Sequence, residues 1–246
     1  MGFFEAIISG IVQGVTEFLP ISSSGHLVIL HRLIGLKETH LVFDIFLHLG
    51  TLAAIFIVFW NDILDIFTSK KRVGFFVIIG SAATVLFVLL FGSAAESAFS
   101  NVKLVGAMLI VTGAWLILGN FIRFGTEGMS APKAFLIGLA QGIATLPGIS
   151  RSGATISTGL FLGLDGNAAA RFSFLLSIPA IIGAFLLKAR AGSLAGFNIN
   201  CVFGLVASCI VGVLSLKLLL RLIYRNRFHL FGVYCIAAGI LVLVFL

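Results

Sequence analysis

The sequence predicts an all-α integral membrane protein made of two inverted-topology repeats, each one re-entrant helical hairpin plus three transmembrane helices. Three observations predict it. First, the 246 residues are 60% hydrophobic and only 10% charged, with mean hydropathy +1.19. A soluble domain carries about 25% charged residues, so this chain cannot cover itself with a water-soluble surface and lipid must be its solvent. Second, the apolar runs are long and lack a period of two, which favours helices over a β-barrel. Third, two polar Gly/Ser-rich breaks recur at a fixed offset inside otherwise apolar stretches.

Taken in order, residues 2–35 are apolar at both ends and interrupted by Pro20-Ile21-Ser22-Ser23-Ser24-Gly25-His26. A break at membrane depth leaves backbone groups unpaired, which is tolerated only where protein or a water-filled cavity supplies partners. The segment is too short for two full spans of about 20 residues each, so it predicts a hairpin that enters and leaves on one face. Spans follow at 41–60, 73–92 and 102–120. Residues 131–164 repeat the first pattern around Pro147-Gly148-Ile149-Ser150-Arg151-Ser152-Gly153, and spans follow at 168–188, 200–221 and 228–246. The two repeats are therefore placed at 1–120 and 131–246, within one membrane domain.

The two breaks align without a gap. Gly10 matches Gly138, Gln13-Gly14 matches Gln141-Gly142, Ile21-Ser22 matches Ile149-Ser150, and Ser24-Gly25 matches Ser152-Gly153. Gly35-Leu36 matches Gly163-Leu164, and Phe46-Leu47 matches Phe174-Leu175, every pair 128 residues apart. This is the signature of a duplication. Three spans per half is an odd number, so the second half must be inverted, an arrangement in which broken helices meet near the midplane.

The net charge of +7 does not point to nucleic acid, because the basic residues fall between spans, where orientation signals belong. Lys70, Lys71, Arg72, Arg123, Lys133, Arg171, Arg221, Arg225 and Arg227 share one face. The smaller set of Arg32, Lys37, Lys103, Lys188 and Arg190 shares the other. The larger set marks the cytoplasmic side, which puts both termini outside. Cys201, Cys209 and Cys235 lie in apolar runs without metal spacing and read as small buried hydrophobes. His31, His40 and His229 fall near span ends, and Lys217 is expected to snorkel.

Charged groups inside a membrane segment are costly and functional by default. The first break gathers Glu17, Ser22, Ser23, Ser24 and His26; the second gathers Ser150, Arg151, Ser152 and Thr155. If the tips touch, one low-dielectric pocket holds a carboxylate, an imidazole, a guanidinium and several hydroxyls. Arginine grips phosphate oxygens in pairs, and Gly/Ser turns that open helices, here expected from about His26 and Ala154, present N–H groups to anions. The expected ligand class is phosphate; two opposed helix N-termini and one arginine suit a pyrophosphate, with Gly25 and Gly153 contributing amides.

The duplication is chemically uneven. Glu17 faces Thr145 in the alignment, His26 faces Ala154, and Ser23 faces Arg151. The first half carries a nucleophile and its activators; the second carries the anion grip. Together these are the parts for phosphoryl transfer. Competing readings stand beside this one. Hydroxyls in membrane helices also bond backbone carbonyls, and Glu17 would alternatively be a structural partner of Arg151. Asp44 and His48, four apart on one helix face, read as an internal pair or as support for the site.

Gln13-Gly14-Val15-Thr16-Glu17-Phe18-Leu19-Pro20-Ile21-Ser22-Ser23-Ser24-Gly25-His26 resembles the first signature of the undecaprenyl-pyrophosphate phosphatases, the bacitracin-resistance family. Pro147-Gly148-Ile149-Ser150-Arg151-Ser152-Gly153-Ala154-Thr155 resembles the second. The likeness covers essentially the whole chain. It implies removal of the terminal phosphate of undecaprenyl pyrophosphate, recycling the lipid carrier of cell-wall synthesis, and location in the cytoplasmic (inner) membrane. Glu17, Ser23, His26 and Arg151 match that family's functional positions. Its first signature opens with Glu or Gln, and Gln13 fills that place here. The resemblance also implies a divalent cation, Mg²⁺ or Ca²⁺. Glu17 is the only carboxylate in either signature, so the ion is expected to be held mainly through substrate phosphates.

These residues lead to a specific expectation. Arg151 and the 150–153 amides grip the pyrophosphate; Ser23 attacks, with His26 as base and Glu17 orienting it. Attack by His26 itself, or by water activated at Glu17, remains open at this point. The expected partners are a polyprenyl pyrophosphate and the bilayer, with no nucleic acid; an oligomer is compatible with the chain. The rival class is a lipid-phosphate transporter using the same anion grip, since broken helices in inverted repeats are common in transporters.

Overall fold

The computed structural model describes residues 2–33, 41–99, 101–120, 125–190, 197–224 and 227–246. The end of the first hairpin at 34–35, Lys37, His40, Arg123 and Arg225 lie outside the described residues. Every regular element among the described residues is helical: α1 Phe3–Phe18, α2 Ser23–Leu33, α3 Leu41–Phe67, α4 Lys71–Ala98, α5 Val102–Asn120, α6 Ala131–Ile143, α7 Arg151–Phe161, α8 Gly166–Arg190, α9 Ile199–Tyr224 and α10 His229–Phe245.

Helices α3, α4, α5, α8 and α9 are long and apolar enough to cross a membrane. The expected sixth span, α10, is a shorter apolar helix of 17 residues, at the lower limit of about 17 for crossing. The spans overrun their expected ends: α3 continues to Phe67 and α4 to Ala98. α3 is also not straight, because Phe59 takes non-helical angles (φ −107°, ψ 22°). Outward faces carry large apolar side chains, such as Leu89 and Leu90 of α4 and Val244 and Phe245 of α10. These suit lipid contact and would be untenable in water.

Each expected hairpin is a helix pair with a short non-helical break, at 19–22 between α1 and α2 and at 144–150 between α6 and α7. The second helices begin earlier than expected, at Ser23 and Arg151 rather than His26 and Ala154. A serine sits before each start. The Ser22 Oγ accepts from the Gly25 N–H (3.3 Å), and the Ser150 Oγ accepts from the Gly153 N–H (3.1 Å). These are N-cap bonds, and they pull Ser23, Ser24, Gly25 and His26 into the first turn of α2.

Packing relies on glycine. α1 and α3 both run alongside α9 in the same direction. Gly10 and Gly14 of α1 press on Gly204 and Ser208 of α9, while Ser208 Oγ donates to the Leu47 carbonyl of α3 (2.9 Å). α6 runs parallel to α4, with Thr84 Oγ1 donating to the Gly138 carbonyl (2.9 Å). α5 and α10 cross antiparallel, Gly106 against Gly239 and Gly113 against Gly232. In the loop before α6, the Glu127 N–H donates to the Gly163 carbonyl (3.1 Å). The Lys133 ammonium bonds the Glu127 carboxylate (2.6 Å) and holds its pKa below the usual range.

Candidate active site

The two breaks meet. Ser152 Oγ donates to the Leu19 carbonyl (3.4 Å), and Cys235 Sγ of α10 approaches the Pro20 carbonyl (3.6 Å). A Cβ on Gly25 would lie 3.1 Å from the Cα of Gly148, so a side chain there would crowd the two breaks. Gly148 itself is left-handed (φ 96°), and Thr112 Oγ1 of α5 pins this turn. It donates to the Gly148 carbonyl (2.8 Å) and accepts from the Ser150 N–H (3.1 Å). In the first break Ser22 is left-handed as well, at φ 70°. Non-glycine residues adopt that region at a cost, and such strain gathers at functional sites.

Glu17 occupies the centre. It is buried, and its two oxygens divide the surrounding donors. Arg151 Nη2 bonds Oε1; Ser23 Oγ (2.6 Å) and Gln13 Nε2 (3.0 Å) both donate to Oε2. His48 Nε2 lies 3.8 Å from the same Oε2. The bond between Glu17 and Arg151 joins residues 134 apart in sequence and unites the two hairpins. Gln13, fully buried, is fixed onto Glu17 one helical turn away.

Other sequence-singled residues are placed differently. The expected bonds of His26 to Ser23 and Glu17 are not formed. His26 Nδ1 reaches the Ser22 carbonyl (2.8 Å), and Nε2 meets the Tyr234 hydroxyl of α10 (2.8 Å) with the rings stacked. The cause is the early start of α2, which sets the Ser22 carbonyl one turn below His26 and turns the ring toward α10. The expected amide grip at 150–153 is also partly used up. The Ser150 N–H serves Thr112, and the Gly153 and Gly25 N–H groups serve their caps. Ser24 Oγ pairs with Ser22 Oγ (3.4 Å), and Ser150 Oγ with Ser152 Oγ (3.3 Å). Thr155 Oγ1 donates to the Arg151 carbonyl (2.7 Å) and shares a bond with Ser173 Oγ (2.6 Å). The Asp44–His48 pairing runs through the backbone: His48 Nδ1 bonds the Asp44 carbonyl (2.7 Å).

A small cleft opens beside the ion pair, lined by Glu17, Arg151, Ser152, Ser173 and Ser177, with Phe18, Ile55 and Phe174 as its apolar walls. Ser173 and Ser177 of α8, Thr112 of α5 and Tyr234 of α10 were not singled out from sequence. Thr112 and Tyr234 stand within the apolar stretches of their helices. Ser173 and Ser177 stand four apart on one face, the only spacing signal of the set. Among the described residues no three His, Cys, Asp or Glu side chains gather as metal ligands, and both oxygens of Glu17 already accept from protein donors. The residues present do not fit a divalent ion held by protein alone.

The family model for bacitracin resistance protein BacA matches residues 6–241. The chain belongs to the BacA family. Its relatives include proteins that carry the name undecaprenyl-diphosphatase. The protein from Desulfosudis oleivorans is 42% identical over 261 residues, covering 96% of this chain and 95% of its own. That from Halothermothrix orenii is 39% identical, covering 99% and 98%. That from Methanobrevibacter smithii is 41% identical, covering 98% and 97%. The alignments run nearly end to end on both sides, so both break segments fall within them.

Proposed function

We propose that this membrane protein is an undecaprenyl-diphosphatase. It hydrolyses undecaprenyl pyrophosphate to undecaprenyl phosphate and inorganic phosphate, returning the lipid carrier to cell-wall synthesis and conferring bacitracin resistance. The observation that carries the reading is the buried Glu17–Ser23–Arg151 constellation at the meeting of two hairpin tips, in a chain about 40% identical over its length to proteins of that name. A serine hydroxyl on a carboxylate beside an arginine is a nucleophile, a proton acceptor and an anion clamp.

In this mechanism Arg151 exchanges part of its bond to Glu17 for the oxygens of the terminal phosphate, with Ser152 and the cleft hydroxyls supporting it. Ser23 attacks, and its proton moves to Glu17 along the 2.6 Å hydrogen bond already present. His26 is held aside by Tyr234, so attack by His26 would first require that bond to open. Gln13 keeps Glu17 oriented. The caps at Ser22 and Ser150, with Ser24, Gly25, Gly153 and Thr155, hold the tips in shape. A divalent cation, Mg²⁺ or Ca²⁺, would enter on the substrate phosphates, and no step here depends on it.

We also propose inverted repeats, 1–120 and 131–246. The helix directions support them: α1 is parallel to α9 as α6 is parallel to α4, and α5 and α10 cross antiparallel through paired glycines. On this reading the protein lies in the cytoplasmic membrane with both termini outside, the site opens outward, and the prenyl tail lies between spans. The transporter alternative gains nothing from the relatives' names. Purified protein in detergent should release phosphate from a prenyl pyrophosphate. Flux across liposomes without release would reverse the assignment.

A further inference from the structure

His48 is the one ionisable side chain beside Glu17 to which the mechanism above gives no task. Its ring orientation is set. Nδ1 lies 2.7 Å from the Asp44 carbonyl, which can only accept, so Nδ1 carries a hydrogen and Nε2 presents its other face to Glu17 Oε2 at 3.8 Å. The same Oε2 accepts the Ser23 hydroxyl. Ser23, Glu17 and His48 thus form a line from three different helices: hydroxyl, carboxylate, imidazole. At 3.8 Å the imidazole nitrogen and the carboxylate oxygen are not hydrogen-bonded, and a small closing movement brings Nε2 within reach of a proton that arrives on Oε2.

The approach is built into the packing. α9 acts as a common platform for the helices that carry both groups. Gly14 of α1 presses against Ser208 and Gly212, three residues before Glu17. Gly50 of α3, two residues after His48, presses against Leu205 and Ser208. A side chain at either glycine would part the helices. Other charged groups stand apart. Arg151 bonds the opposite oxygen of Glu17. Arg171 of α8 bonds Asp62, fourteen residues further along α3, or about 21 Å. Lys217 of α9 lies beyond Gly212, which is level with Ala54.

We propose that His48, acting through Glu17, is the proton reservoir of the reaction. This rests on the Ser23 reading above. As the Ser23 Oγ–P bond forms, the bridging P–O bond breaks and the lipid monophosphate leaves with that electron pair. The hydroxyl proton passes to Glu17 Oε2 and on to His48 Nε2. When water then attacks the phosphoserine, the Oγ–P bond breaks and the imidazolium returns its proton through Glu17 to Ser23. Both water protons leave on dihydrogen phosphate. His48 touches neither substrate nor phosphorus; it is a positioning and proton-holding residue.

The test uses the full-length protein in detergent with a prenyl pyrophosphate. His48→Ala should lower kcat by about 10² or more, the lower range of acid–base contributions, with KM within about twofold. Added imidazole should restore at least tenfold of that loss. His48→Gln, which keeps volume and one hydrogen bond, should stay low in kcat while melting like wild type. Full activity in His48→Gln, or loss in His48→Ala without imidazole rescue, overturns the proposal. Acid-quench trapping of phosphate on Ser23 separates the two readings. Rescue without a trapped phosphoserine overturns Ser23 as nucleophile and with it the proton route drawn here from Ser23 to His48. A trapped phosphoserine with no loss in either variant overturns His48 alone.

Discussion

Consider the Arg151–Glu17 pair as a thermodynamic cycle. The side chains are 23% and 4% exposed, so removing Arg151 leaves a carboxylate that water scarcely reaches. Breaking a buried pair from one side costs roughly 3–5 kcal/mol. Gln13 and Ser23 still donate to Glu17, which places Arg151→Ala near the lower end, about 3 kcal/mol. Glu17→Gln leaves an arginine that is partly wet and costs less, about 2 kcal/mol, in line with loss of one charged hydrogen bond. The double variant strands no charge and should cost about 2–3 kcal/mol instead of the sum of 5. The coupling is then roughly 2–3 kcal/mol, at the high end for contacting residues. Unfolding of the purified protein in mixed detergent micelles measures the three stabilities, and phosphate release measures turnover. Stability should recover in the double variant relative to that sum while turnover does not. Arg151→Ala should fall about 10³-fold or more, as for other charge clamps on phosphoryl transfer. Additivity within about 0.5 kcal/mol would show that the two residues are not paired, and the meeting of the hairpin tips would have to be redrawn.

Further outcomes follow from the same contacts. Gly148→Ala should destabilise by about 1–3 kcal/mol, because alanine resists φ 96°; unchanged melting would contradict that turn. Gly50→Ala drives a methyl into the Leu205 carbonyl and Ser208 of α9; it should cost about 1–3 kcal/mol and lower turnover by moving His48 from Glu17, and an active, equally stable variant would refute that packing. Tyr234→Phe removes the partner of His26 Nε2 and should cost about 0.5–1.5 kcal/mol while leaving turnover within a few-fold, whereas a large loss of turnover would return His26 to the reacting centre.

Much of the site was legible because the chemistry is written into two short segments. Hydropathy alone isolates the breaks, and the 128-residue offset pairs them. Glu17 and Arg151 stood out because charge inside a membrane helix needs a reason. What was not legible came from side chains meeting across helices. Nothing in the series Asp44 to His48 says that the histidine bonds the Asp44 backbone and turns its far nitrogen to another helix. Gly50 two residues later was the available signal, a small residue marking close approach. The expected bonds of His26 to Ser23 and Glu17 are not formed, because Ser22 and Ser150 do not have the role of phosphate ligands expected of them. Both are caps, recognisable by a glycine three residues on whose N–H each accepts. That shift of helix start by one turn rotates His26 toward Tyr234. Thr112, Ser173 and Ser177 become relevant only once α5 and α8 are seen against the second break.

The central claim is that pyrophosphate cleavage occurs where Glu17, Ser23 and Arg151 converge. The direct measurement is steady-state phosphate release from a prenyl pyrophosphate by folded wild type, Ser23→Ala, Glu17→Gln and Arg151→Ala, with Lys133→Ala as a distant control. The account predicts brisk release by wild type and control and losses of at least 10² in each of the other three. Release within tenfold of wild type by all three variants would contradict it.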